Sequence, residues 1–281
     1  MKFWKMNGAG NDFIIIDNRS AGLPEEKLPE IIRTVCERHL SVGADGLMLV
    51  EAPDSPGADV KMRYFNSDGS AGEMCGNGAR CICRWAYENG LAGETQRIET
   101  TAGIVTGERL DERNYRIRLN DPSVLDIDRV VDVDGQPCQA AYVELGVPGL
   151  PHAVVPVAGL ARADRATLRE LGETLRYHPS FPKGVNVNFY EITGPDEVLL
   201  VTYERGVEDF TYACGTGTGS TAAVLTLKSL ISGRGTRFTM RGGVLTTDVL
   251  RDEKGRITDL YLTGPTNIVA KGEITDEDLS Y

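Results

Sequence analysis

The chain is written twice, and that repetition limits its fold more than any other feature of the sequence. Cys75-Gly76-Asn77-Gly78 leads into ARCICRWAYENGL, and Cys214-Gly215-Thr216-Gly217, 139 residues further on, leads into TGSTAAVLTLKSL. Each is a glycine-rich turn running into a helix-like segment. Downstream, RIETTAGIVTGERL from Arg97 matches RFTMRGGVLTTDVL from Arg237, with Gly103 opposite Gly243. Upstream, KMNGAGNDFIIID around Asn11 faces ELGVPGLPHAVVPV around His152, each a turn followed by a short apolar strand. Turn, strand, cysteine helix and hairpin thus recur in one order, which predicts two similar halves of one ancestral unit. The Asn120-Asp121-Pro122 turn sets the expected boundary, giving domains 1–120 and 121–265 with the tail 266–281 joining the first.

Alternation or β-rich composition predicts strands at 60–65, 115–119, 140–145, 197–204, 237–240 and 259–264. Helices are predicted at 25–38, 76–88, 166–176 and 216–231, the first preceded by Pro24 and the third opened by Asp164 as N-cap. The fold class is α+β.

Charge narrows the partners. A net charge of −11 with dispersed Lys and Arg excludes the basic stripe that nucleic acid requires. No apolar run approaches the roughly 18 residues that span a bilayer, so no membrane partner is expected. The opening MKFWKMNGAGND has no apolar signal region, and the cytoplasm is the expected location. Six cysteines without a CxxC pair, beside only three histidines, point to thiols rather than to a disulfide framework or a metal site. A small polar metabolite is the expected partner, and a homodimer is left open.

A cysteine just before a helix sits where the first backbone N–H groups lack intrahelical acceptors and the helix dipole is positive. Its thiolate is stabilised there. The same N–H groups can bind a carboxylate, and glycines let it approach the backbone closely. Two such turns related by a repeat suggest a thiol on each side of one bound molecule, as stereochemical inversion requires: one face loses a proton and the other gains one. For Cys36, Cys81, Cys83 and Cys138 the reading is a small buried hydrophobe. GTGTGS lacks the ending of a P-loop, and GAGNDF has Phe13 where a dinucleotide fingerprint wants glycine.

Through KMNGAGNDF, FNSDGSAGEMCGNGAR, FPKGVNVNF, YERG and ACGTGTG, in that order, the chain resembles the diaminopimelate epimerase family along nearly its whole length. The resemblance implies two pseudo-symmetric domains, each wrapping strands around a central helix, with the active site in the cleft between them and no cofactor or metal. It implies Cys75 and Cys214 as the catalytic pair, with Gly76, Asn77, Gly215 and Thr216 offering N–H groups to the α-carboxylate. Asn11, Asn66, Asn186, Glu204 and Arg205 would surround the substrate, with Arg205 suited to its distal carboxylate, and His152 would support the thiols. The implied reaction interconverts LL- and meso-diaminopimelate, in the supply of lysine and peptidoglycan precursors. The same chemistry on histidine or a lanthionine-like amino acid, or a thiol-redox function, are the alternatives. Two departures bear on the substrate's distal end. Residues 146–152 read Gly-Val-Pro-Gly-Leu-Pro-His where the family usually has Gly-Asn-Pro-His, and Phe210 and Tyr212 stand where small or polar residues are common.

Overall fold

In the computed structural model, which describes residues 1–72, 74–275, 277 and 279, the chain divides into two units, one comprising Met1–Ile117 and the chain from Gly264 onward, the other Arg118–Thr263. The first begins with an antiparallel pair, β1 (Lys2–Gly8) and β2 (Asn11–Asp17), followed by a single-turn α1 (Asn18–Ala21). Helix α2 (Leu28–Cys36) then crosses to β3 (Gly46–Glu51), which lies parallel to β2. Strand β4 (Val60–Asn66) runs antiparallel to β3, and the two-residue β5 (Ala71–Gly72) folds back on it. After α3 (Gly76–Glu88), β6 (Thr95–Thr100) joins β4 in parallel, and β7 (Gly103–Arg109) and β8 (Asn114–Arg118) extend the sheet antiparallel.

The second unit opens with β9 (Pro122–Asp126) and a separate hairpin, β10 (Val130–Val133) with β11 (Gln136–Gln139). It then repeats the order of strands and long helices of the first unit. Antiparallel β12 (Ala141–Leu145) and β13 (Leu150–Pro156) lead through α4 (Arg165–Arg176) to β14 (Asn186–Gly194), parallel to β13. Strand β15 (Glu197–Glu204) is antiparallel to β14 and carries the two-residue β16 (Asp209–Phe210). After α5 (Gly215–Leu227), β17 (Thr236–Met240) joins β15 in parallel, followed by antiparallel β18 (Gly243–Arg251) and β19 (Ile257–Pro265). Even the flanks correspond: β9 pairs antiparallel with β12, and the last strand, β20 (Asn267–Glu273), pairs antiparallel with β1. Among the described residues the β10–β11 hairpin has no counterpart in the first unit, and α1 is matched in the second only by a 3-10 turn, Leu160–Arg162.

Each unit has two apolar layers because its central strands are covered on both faces. Along α2, Leu28, Ile31, Ile32 and Val35 recur at helical spacing and pack on Ile14, Ile16, Leu47 and Leu49, every second residue of β2 and β3. The alternate residue Met48 faces α3, whose turns are buried on nearly every side. In the second unit α4 covers Ala153, Val155, Val187, Phe189 and Tyr203, and α5 is buried all round. A helix enclosed in this way cannot be amphipathic, which explains the small residues of GTGTGSTAAVL.

Several predicted bounds shift. Helix α5 stops at Leu227, not 231, because the chain turns back at Ser229 with φ +56° and Leu230 N–H donates to Leu225 O. Helix α2 ends at Cys36, and its first predicted residues, Glu25–Lys27, form a 3-10 turn. Asp164 caps α4 as expected, accepting from Thr167 N–H at 2.8 Å. Gly103 and Gly243, matched in sequence, both take positive φ, +104° and +130°, at their hairpin turns. Strands β3 and β14 went unpredicted.

A β-carbon on Gly46 would stand 2.5 Å from the Phe65 carbonyl oxygen and 2.7 Å from the Tyr64 ring. Gly46→Ala is therefore expected to cost about 1–3 kcal/mol of stability, read as a lower denaturant midpoint at unchanged slope. An unshifted midpoint would show that β3 and β4 are not so closely apposed.

Candidate active site

Cys75 is the N-cap of α3, in extended conformation with φ −132°, and Cys214 is the N-cap of α5, with φ −117°. Both helices open on Gly-x-Gly because their first turns rest on a strand. A β-carbon on Gly78 would meet Met48 Cε at 1.7 Å, and one on Gly217 would meet Asn188 Oδ1 at 2.2 Å. Met48 and Asn188 are matching residues: β3 pairs Met48 with Tyr64 of β4, and β14 pairs Asn188 with Thr202 of β15. The same registers match Gly46 with Asn186, Asn66 with Glu204, and Phe13 with His152.

In the first unit, the first turn of α3 is held by a directed chain of hydrogen bonds. Arg80, wholly buried, donates from Nη2 to Asn77 Oδ1 at 2.8 Å and from Nη1 to Gly76 O at 3.4 Å. Asn77 Nδ2 donates to Asn11 Oδ1 at 2.6 Å, and Asn11 Nδ2 donates to Asp45 Oδ2 at 3.3 Å. The chain runs from a guanidinium to a carboxylate, so both amides have their orientation dictated. Asp45 is itself bound by Arg38 at 2.8 Å. Asn66, at the end of β4, accepts from Tyr64 Oη at 2.9 Å, and the Tyr64 ring lies against Gly46 and Gly72, where a side chain would collide with it.

The second unit puts polar residues where the first has apolar ones. Cys214 Sγ accepts from Gly217 N–H at 3.4 Å and lies 3.6 Å from Thr216 Oγ1. Beneath this turn Asn188 Nδ2 contacts His152 Nδ1 at 3.2 Å, while Asn188 Oδ1 accepts from Thr202 Oγ1 at 3.0 Å. Asn186 donates to Pro151 O at 3.1 Å and accepts from Arg205 N–H at 2.9 Å, which ties the His152 strand to the end of β15. Thr211 Oγ1 donates to Glu204 Oε2 at 2.7 Å. Arg205 Nη1 reaches Lys183 O at 3.0 Å.

Three of the other cysteines behave as packing groups: burial pushes the thiols of Cys36, Cys81 and Cys83 up to about 12. Cys138 is a partial correction, since it is only half-buried on the β10–β11 hairpin, with burial raising its thiol. The departures also find their places. Gly149 of the 146–152 loop sits against Glu144, whose carboxylate is held by Lys183 at 2.9 Å and by Tyr142 Oη at 2.5 Å. Phe210 pairs with Tyr203, on the α4 side of the sheet, with ring centroids 5.9 Å apart. It therefore faces away from Glu204, contrary to the expectation that it alters the substrate's distal end. Tyr212 is stacked under Arg241 at 4.4 Å.

Residues 3–123 and 147–269 match the model of the diaminopimelate epimerase family. The chain belongs to that family. It is 41% identical to the diaminopimelate epimerase of Aquifex aeolicus over the full length of both chains, and 37% identical to that of Archaeoglobus fulgidus over 99% of this chain and 98% of the relative. Among solved structures, the fold is shared with a PhzF-family phenazine biosynthesis protein of Bacillus anthracis, with TM-score 0.72, 18% identity, and 97% of this chain and 98% of the other covered. It is shared also with a hydroxyproline epimerase of Agrobacterium vitis, with TM-score 0.71, 18% identity, and 99% and 93% covered. Within this family's α+β architecture, the β10–β11 hairpin lies outside the matched segments. Among the described residues no helix is long and apolar enough to cross a membrane.

Sequence reasoning missed Arg80, Asp45, Asn188 and Thr202. Arg80 stands in the CGNGAR motif, but nothing local in the sequence shows that an arginine will be buried. Asn188 had a visible signal: Asn186-Val187-Asn188 puts two amides on one face of an otherwise apolar strand.

His152 is fully buried, and burial, with a smaller contribution from the Arg205 cation, pushes its pKa down to about 3. The unfolded chain takes up this proton near the ordinary value of about 6.5, so the stability linked to neutral His152 is fully present above that pH and is lost as pH falls toward 3. Below pH 6.5 the wild type is expected to lose up to about 1.4 kcal/mol per pH unit more than His152→Gln, measured by denaturant midpoints from pH 7.5 to 4.5. Parallel curves for the two proteins would contradict a buried neutral imidazole.

Proposed function

We propose that this chain interconverts LL- and meso-diaminopimelate by two-base proton transfer, with Cys75 and Cys214 as the alternating base and acid. The observation that carries the reading is the shared station of the two cysteines, each capping the enclosed helix of one repeated unit above a Gly-x-Gly turn. The full-length 41% identity to a diaminopimelate epimerase supports the substrate.

In this reading one thiolate takes the α-proton while the opposite thiol gives its proton to the other face. The C–H bond broken on one side is replaced by a C–H bond on the other, and the thiol and thiolate exchange places. No electrons leave the system, so no redox partner is needed. The negative charge that develops at the α-carbon and its carboxylate is met by the first-turn N–H groups of Gly76, Asn77, Gly215 and Thr216, at the positive ends of α3 and α5. Asn11, Asn66, Asn186 and Glu204 supply the polar surround, and the planar guanidinium of Arg205 suits the distal carboxylate. A small amino acid in the cytoplasm is the partner the reading requires.

Cys75→Ala and Cys214→Ala are each expected to lower the epimerisation rate by at least about 10³-fold, with melting temperature and circular dichroism near wild type. A variant that stays active would remove its cysteine from the chemistry. Turnover of another amino acid and none of diaminopimelate would move the substrate while leaving the two thiols in their roles.

A further inference from the structure

We infer that Asn188 is a positioning residue that fixes His152 as the neutral tautomer protonated on Nε2, so that the imidazole serves the site as a hydrogen-bond donor and not as a proton acceptor. Asn188 can be oriented in only one way. Its Nδ2 lies 3.1 Å from Ala153 O and 3.3 Å from Asn186 O, and a reversed amide would press Oδ1 against both carbonyl oxygens. The Thr202 hydroxyl at 3.0 Å completes the arrangement from the Oδ1 side. The atom facing His152 Nδ1 at 3.2 Å is therefore Nδ2, whose two hydrogens are shared among three acceptors and which has no lone pair to offer. A protonated Nδ1 would face an amide nitrogen that cannot accept its hydrogen, so Nδ1 presents its lone pair and the proton resides on Nε2. The imidazolium is disfavoured by the same contact, in keeping with the downward shift that burial and Arg205 impose.

That leaves Nε2–H as a buried donor without a hydrogen-bond partner among the described residues. Such a group is costly to bury and calls for an explanation. The first unit has no equivalent, because Phe13 and Met48 occupy the matching positions. The polar layer is specific to the half that carries Cys214, and Asn188 touches that cysteine's own turn at Gly217. Nε2–H is thus a fixed donor for an anionic acceptor in the site, thiolate or substrate carboxylate. This last step rests on the proposed epimerase function; the tautomer does not.

The test is ¹⁵N NMR of the histidine side chains, with His152 assigned by comparison with His39→Gln and His178→Gln. The expected wild-type spectrum shows protonated Nε2 and unprotonated Nδ1, unchanged from pH 8 to pH 5. A proton on Nδ1, or titration near pH 6.5, would overturn the assignment. In folded Asn188→Asp the carboxylate should draw the proton to Nδ1; an unchanged tautomer there would show that Asn188 does not set it. For the donor role, His152→Gln keeps an N–H near Nε2 and should hold activity within about 10-fold, whereas His152→Leu should lose about 10²–10³-fold. A glutamine variant of normal melting temperature, yet as inactive as the leucine variant, would overturn that role. Absence of diaminopimelate turnover by the wild type would sink the proposed function and leave the tautomer standing.

Discussion

The seating of a helix N-terminus directly on a strand is the contact on which the rest of each unit depends. Gly78 above Met48, and Gly217 above Asn188, leave no room for a β-carbon. That approach brings the cysteine cap and the first-turn N–H groups to the end of the sheet where Asn66 and Glu204 finish their strands. The strands in turn close around the helix, which in α5 is built largely of small residues. Glycine in these turns is therefore demanded twice, by the strand beneath and by any carboxylate above.

From this common base the halves diverge in chemistry. The first braces its turn from within the helix, through buried Arg80, two amides and Asp45. The second braces it from the strand below, through Thr202, Asn188 and neutral His152. The two cysteines thus hold matched stations in their units, while their surroundings do not match.

Much of this was legible in the sequence. The repeat revealed two units, and the Cys-Gly-x-Gly turns gave the starts of α3 and α5 to within a residue. Among the strands that escaped, β3 and β14 are covered by a helix on both faces, so GLMLVE shows no polar alternation and NVNFY sets its two amides in the interior instead of toward solvent. The end of α5 escaped because apolar residues continue past Leu227 while the backbone turns at Ser229. Phe210 was misread because a two-residue strand gives no periodicity from which to tell its facing. Asn188 and Arg80 became meaningful only once their partners, distant in sequence, were in view.

The most direct test of a two-base exchange is the fate of hydrogen in D₂O at early times, starting from one pure stereoisomer of diaminopimelate. If two thiols act on opposite faces, the product formed carries deuterium at the α-carbon while the recovered substrate carries almost none, because the proton is taken by one residue and the deuteron supplied by another. Product that retains the original protium, or recovered substrate that exchanges as fast as product forms, would mean that a single base serves both faces and would contradict the pairing of Cys75 with Cys214.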